Sequence, residues 1–197
     1  PGTLQTRSMG GVGVGMRNAA AVNLLNPAAY SAVRPKSFLF DFGLEGQCFY
    51  NSQKYYGQTL NTSYYTVNFH DIAFQLPIAK HLGLGFSLTP YSSVGYRMKQ
   101  EVDDDEIWGN IGRVQYQWDG DGDVTEVKLG LGWEIFRGFS IGIAAQYYWG
   151  DIQRIYKTAI LENITGGGLI ADATGTETYS VSRFKGQFGV QWSPISN

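Results

Sequence analysis

The chain has 197 residues, of which 15% are aromatic, 26 are Gly and only 16% are charged, which excludes a disordered chain and a Lys/Glu-rich helical bundle. Its net charge of −2 offers no general attraction to nucleic acid, and its one cysteine, Cys48, excludes an internal disulfide or a zinc cluster. No apolar run reaches the roughly eighteen residues of a transmembrane helix, whereas a mean hydropathy of −0.19 is compatible with membrane strands that alternate apolar and polar residues.

The chain opens at Pro1 without a signal-peptide pattern. Residues 1–35 are small and glycine-rich. Within them Gly11-Val12-Gly13-Val14-Gly15 looks like a phosphate-binding loop, but no strand precedes it and no βαβ unit follows. A close-packing segment is the expected role. Asn26-Pro27-Ala28-Ala29 then interrupts an apolar stretch. The residue before a proline is held extended, and the Asn26 amide is suited to satisfy unpaired backbone groups nearby. A plain turn at the end of a short helix is the competing reading.

Six strands follow at period two. Strand one carries Phe38, Phe40, Phe42 and Leu44 on one face, with Asp41, Gly43 and Glu45 on the other. In strand two, Tyr65, Val67 and Phe69 give way to Ile72, Phe74, Leu76 and Ile78. The phase slips at His70-Asp71, which predicts a β-bulge. Strand three carries Leu82, Leu84, Phe86 and Leu88, and its alternation stops at Pro90, a residue that cannot donate to a ladder. Strand four presents Leu129, Leu131, Trp133 and Ile135 against Glu126, Lys128 and Glu134. Strand five presents Ile141, Ile143, Ala145, Tyr147 and Trp149. Strand six presents Phe184, Phe188, Val190 and Trp192 against Arg183, Lys185, Gln187 and Gln191.

Connection lengths alternate. Lys80 and Arg137-Gly138 mark tight turns, and residues 46–62, 97–122 and 151–181 read as long loops. This is the pattern of an antiparallel transmembrane barrel, and aromatic residues near strand ends agree with it. A soluble all-β domain with an apolar core is the alternative. Closed membrane barrels need about eight strands or more, so six strands ending at "WSPISN" are expected to be the start of a larger barrel, cut before strand seven. The expected domains are residues 1–35 as an N-terminal plug and 36–197 as strands one to six.

Other motifs are weak. Asp119, Asp121 and Asp123 have calcium-like spacing, but Val124 and Gly130 stand where an EF-hand needs Gly and Glu. With Asp103, Asp104, Asp105 and Glu106 they make an acidic, solvated loop. His70 and His81 lack second nitrogen ligands nearby, and no Ser-His-Asp arrangement is recognisable. No catalytic residue, metal ligand or cofactor is expected. The polar-face residues Asp41, Glu45, His70, Glu126, Lys128, Glu134, Arg183 and Lys185 are expected to line the barrel lumen, pairing across strands or tuning passage.

Arg7-Ser8-Met9-Gly10-Gly11, the GVG that follows, Asn26-Pro27-Ala28 and a broken strand three together resemble the start of the FadL/TodX outer-membrane transport family. That resemblance implies a barrel of about fourteen strands around a hatch whose Asn-Pro-Ala motif lies beside a kink in strand three. Asn26, Pro27 and Ala28 would then form a gate with Pro90, Tyr91 and Gly95. It further implies a passive channel for hydrophobic small molecules such as fatty acids, in the outer membrane of a Gram-negative bacterium. The partners implied are a hydrophobic small molecule or lipid, outer-membrane lipid and other outer-membrane proteins. The alternative is a similar barrel that carries nothing and serves as a partner subunit of a secretion or barrel-assembly complex. An outer-membrane enzyme is a minor third reading.

Overall fold

The computed structural model describes residues 2–55, 57–102, 113–162 and 173–194. A short helix, α1 (Leu4–Ser8), and a 3-10 helix (Pro27–Ala32) precede six strands: β1 (Leu39–Tyr55), β2 (Gln58–Ala79), β3 (Leu82–Glu101), β4 (Arg113–Phe136), β5 (Phe139–Glu162) and β6 (Ala173–Trp192). They form one sheet in sequential order with β1 and β6 at its edges. The all-β, antiparallel reading and the six strand positions hold. Closure into a barrel is not observed, and about fourteen strands, a figure taken only from the family resemblance, find no support in this six-stranded sheet.

The strands are longer than the sequence pattern indicates: within the expected loops 97–122 and 151–181, residues 97–101, 113–122, 151–162 and 173–181 are strand, and nearly all of 46–62 is strand as well. Residues 46–55 and 58–62 continue the β1–β2 ladder, which runs from Leu39↔Gln75 to Tyr55↔Gln58. Asn, Ser, Thr and Gln fill this stretch, so no apolar alternation marks it. β-Branched and aromatic residues such as Phe49, Tyr50, Thr59 and Thr62 nevertheless suit a pleated backbone. Phe49 stacks on Tyr64 with ring centroids 4.7 Å apart. The expected bulge is present: Gly43 pairs with Asp71 and Leu44 with Phe69, so His70 is the extra residue.

At the opposite strand ends the turns are tight. Ala79 pairs with Leu82 around Lys80-His81, and β4 meets β5 through Arg137-Gly138. The second residue of each turn is left-handed, His81 at φ 68° and Gly138 at φ 84°. Glycine adopts this conformation without steric penalty, whereas histidine must be held in it by its surroundings. The β2–β3 register runs from Ala79↔Leu82 to Ile72↔Leu88, ending two residues before Pro90. β3 itself continues through Pro90 as one strand, so the chain does not break there, while the buried–exposed alternation does stop just before Pro90 as expected.

The chain divides into two compact units. One comprises Pro1–Pro90, Glu126–Tyr147 and Phe184–Asn197. Its strands expose one strongly apolar face, including Phe40, Phe42, Leu131, Trp133, Ile143, Phe184, Phe188 and Trp192. Its opposite face is small and polar and is covered by the N-terminal segment. The core lies there, with Val22, Leu24, Ala28, Ala29, Tyr30 and Ala73 all buried. The second unit, Tyr91–Thr125 and Tyr148–Arg183, carries a polar network around Asp119. This carboxylate accepts from Arg97 at 3.1 Å and Gln117 at 2.6 Å and lies 3.9 Å from the Lys157 ammonium. Asp119, Asp121 and Asp123, expected in an acidic loop, lie instead within β4, and residues 103–106 lie outside the described residues. No helix among the described residues is long and apolar enough to cross a membrane.

Candidate functional site

The best-defined site is the seat of the N-terminal segment on the polar face of the first unit. Its centre is Asn26. The backbone there is extended, at φ −134° and ψ 113°, as a residue before proline should be. The Asn26 Oδ1 accepts from the Ala28 N–H at 3.0 Å, and Pro27 occupies the first helical position, where its missing donor costs nothing. Asn-Pro-Ala is therefore a helix-start device. Asn26 Nδ2 also donates to the Val14 carbonyl at 2.8 Å and to the Val190 carbonyl of β6 at 3.2 Å. Asn26 was expected to brace the chain near Pro90. Its recorded partners are instead Val14, Ala28 and Val190.

The 3-10 helix lies so close to the sheet that side chains beneath it are excluded. A Cβ on Gly83 would collide with the Tyr30 carbonyl, one on Gly142 with the Pro27–Ala28 peptide, and one on Gly189 with the Asn26 amide oxygen. Gly85 and Gly130 make room for the Tyr30 ring, and Gly132 faces the Pro27 carbonyl. Six glycines on four strands thus form a cradle. Tyr30 is 1% exposed. Burial, with the nearby Glu126 carboxylate adding to it, pushes its hydroxyl pKa upward and keeps it protonated.

Polar side chains around this cradle reach for the segment's backbone. Gln75 of β2 donates to the Asn23 carbonyl at 3.0 Å, Lys128 of β4 to the Leu24 carbonyl at 2.9 Å and Gln187 of β6 to the Leu25 carbonyl at 2.6 Å. Gln191 donates to the Met16 carbonyl at 3.0 Å. Arg17 spans from the segment to the sheet, donating to Ser31 at 3.0 Å and to Ser140 of β5 at 2.6 Å, with Glu134 at 3.4 Å. Asn23 folds the segment on itself by donating to the Gly13 and Met16 carbonyls and accepting from the Leu25 N–H. These bonds satisfy backbone groups that an irregular buried segment would otherwise leave unpaired.

The residues expected to line a lumen divide accordingly. Glu45 receives a two-pronged contact from Arg7, at 2.7 and 3.2 Å. Lys128 also lies 3.4 Å from Glu126, and both are more than nine-tenths buried. Glu134 binds Arg17 and His81, the latter at 3.0 Å. His70 contacts the fully buried Asp71 beside it. Asp41 is half-buried, whereas Arg183 and Lys185 are exposed and make no ion pair recorded among the described residues. Pro90 is exposed. In the second unit, Tyr91 meets Tyr148 edge-on at 4.8 Å, and Gly95 has open space around it. Glu45, Lys128 and Glu134 thus hold the N-terminal segment. The sequence reading missed Arg7, Arg17, Asn23, Tyr30 and Gln75 as participants. One available signal is the run of Gln and Gly at period two on the polar face, amides with backbone-seeking donors set between positions with no side chain.

Among the described residues no group of three or more His, Cys, Asp or Glu side chains could hold a metal ion. No curated protein and no solved structure matches the chain. The family model that matches covers residues 1–197 and is BamG. This overturns the FadL/TodX resemblance, which leaned on an Asn-Pro-Ala motif that here caps a 3-10 helix, a local arrangement available to any fold. The chain belongs to the BamG family, which is related to barrel assembly and distinct from FadL/TodX.

Proposed function

We propose that this protein is a β-sheet subunit of the outer membrane of a Gram-negative bacterium that supports barrel assembly as a structural partner, without carrying a substrate. Family membership supports an envelope role associated with barrel assembly. The apolar face of the first unit supports contact with lipid. Exposed Phe, Leu, Ile and Trp side chains in continuous alternation on several strands are unusual for a face meant for water.

One observation carries the non-transporting role: the N-terminal segment is fixed to β2, β4, β5 and β6 by side-chain donors and fills a glycine cradle. A gate must leave its seat at modest cost. Releasing this segment breaks five or more hydrogen bonds to buried carbonyls and hydroxyls, each worth about 1 kcal/mol net and more where a partner stays buried and unpaired. A firmly seated segment braces the polar face and presents a rigid platform to a partner. No catalytic residue is needed for this role.

Depletion of the protein in cells tests it. The expected result is a fall in several unrelated outer-membrane barrel proteins, with no selective defect in uptake of a hydrophobic compound. Normal barrel levels together with a selective uptake defect would refute the proposal.

A further inference from the structure

The tight-turn end of the first unit holds a cleft of about 470 Å³ between residues 31–35 and the β2–β3 turn. Its charges are unbalanced. Arg17, Arg34 and Lys80 line it with His81, and Glu134 is the only carboxylate. That carboxylate is already engaged by Arg17 and His81. Arg34 and Lys80 are exposed, and neither makes an ion pair recorded among the described residues. The chain as a whole carries a net charge of −2, so this basic end runs against the overall balance and is not a by-product of a cationic protein.

We propose that this cleft docks a carboxylate-rich, extended segment of a partner protein, with Arg34 and Lys80 as the residues that hold it. The volume is in the range of sites that enclose small ligands or a few side chains. Arg34 and Lys80, the lining cations not engaged by Glu134, supply charged donors. That combination suits acceptors, and carboxylates above all. Ser31 of the 3-10 helix and Glu134 of the sheet's polar face both line the cleft. The Trp133 and Ile135 side chains flank Glu134 in sequence and are exposed on the opposite face. A carboxylate-rich protein segment complements the cations left unengaged at Arg34 and Lys80, and the vesicle arm of the test separates it from a lipid headgroup. Both cations are solvent-accessible, so attraction is salt-sensitive and sets encounter rate and orientation more than tight affinity.

The inference rests on the proposed partnership only for the nature of the occupant. It is measured on the isolated full chain, so its failure is distinguishable from failure of the assembly role. The probe is a fluorescein-labelled glutamate decamer titrated with the full-length protein in detergent micelles and read by anisotropy. Binding is expected to weaken as salt rises from about 0.05 to about 0.3 M. The double substitution Arg34→Glu/Lys80→Glu is expected to weaken it about tenfold or more, the gentler Arg34→Gln/Lys80→Gln less, and Arg183→Glu/Lys185→Glu by under about twofold. Far-UV circular dichroism in the same micelles checks folding of each variant. Equal weakening by both charge-reversed pairs would show diffuse attraction and overturn the site, as would unchanged binding in Arg34→Glu/Lys80→Glu. Absence of peptide binding alongside Arg34- and Lys80-dependent binding to phosphatidylglycerol vesicles would reassign the cleft to lipid and likewise overturn it.

Discussion

Replacing Asn26 by Ala is the sharpest single perturbation of the seated segment. The substitution removes the acceptor for the Ala28 N–H at 3.0 Å and the donor to the Val14 and Val190 carbonyls at 2.8 and 3.2 Å. Loss of an N-cap side chain costs about 1 kcal/mol, and each buried group left unpaired costs about 1–3 kcal/mol. Val14 keeps a partner in Gln191, at 3.3 Å, which softens one of these losses, and Val190 loses its side-chain donor. Because the three losses share one site, they do not simply add, and about 3 kcal/mol is a reasonable total. The sheet ladder is untouched, so the loss falls on local opening of the segment. Hydrogen exchange of the amides in residues 13–33, measured on folded protein in micelles, should accelerate about 100-fold, since each 1.36 kcal/mol is tenfold. Strand amides in β4–β6 should keep their protection. An acceleration below about threefold would refute the assigned role of Asn26. Collapse of strand protection as well would show that the segment is integral to the sheet.

Other substitutions probe the cradle and its anchors. Gly142→Val should unseat the segment and expose residues 10–20 to protease, because its side chain would occupy the Pro27–Ala28 peptide; Gly186→Val, where nothing lies within 4 Å, should behave as wild type. Lys128→Met strips the Leu24 carbonyl of its donor and leaves Glu126 buried without its cation. Breaking such a buried pair costs about 3–5 kcal/mol, which should lower the urea midpoint of the folded form in micelles. Arg7→Ala removes a half-exposed pair with Glu45 and should cost under about 1 kcal/mol, visible only as faster exchange in α1.

The strands were readable because their apolar faces alternate without interruption, as in Leu129, Leu131, Trp133 and Ile135. The bulge at His70 was readable because a period of two cannot absorb an extra residue without a phase slip. Strand ends rich in Asn, Ser and Thr lack that alternation, so residues 46–62 read as a loop in the sequence although most of them extend the β1–β2 ladder. Long-range anchoring was hidden for a different reason. Gln187 bonds Leu25 across 162 positions, and Lys128 bonds Leu24 across 104. Both target backbone carbonyls, which every residue possesses, so sequence carries no matching partner to recognise. Asn26-Pro27-Ala28 misled because capping chemistry is shared by unrelated folds. Its order before strand one resembles a transport hatch, while its side chain serves a helix start and a β6 carbonyl.

The most direct test of the proposed role is mild-detergent purification of the full-length protein from outer membranes, with partner stoichiometry and bound small molecules measured on the same sample. The expected result is a defined complex containing barrel-assembly proteins in integer ratio, formed equally when exogenous fatty acid is withheld or supplied. A lone protein recovered without stoichiometric partners, and holding a specific hydrophobic molecule, would contradict it.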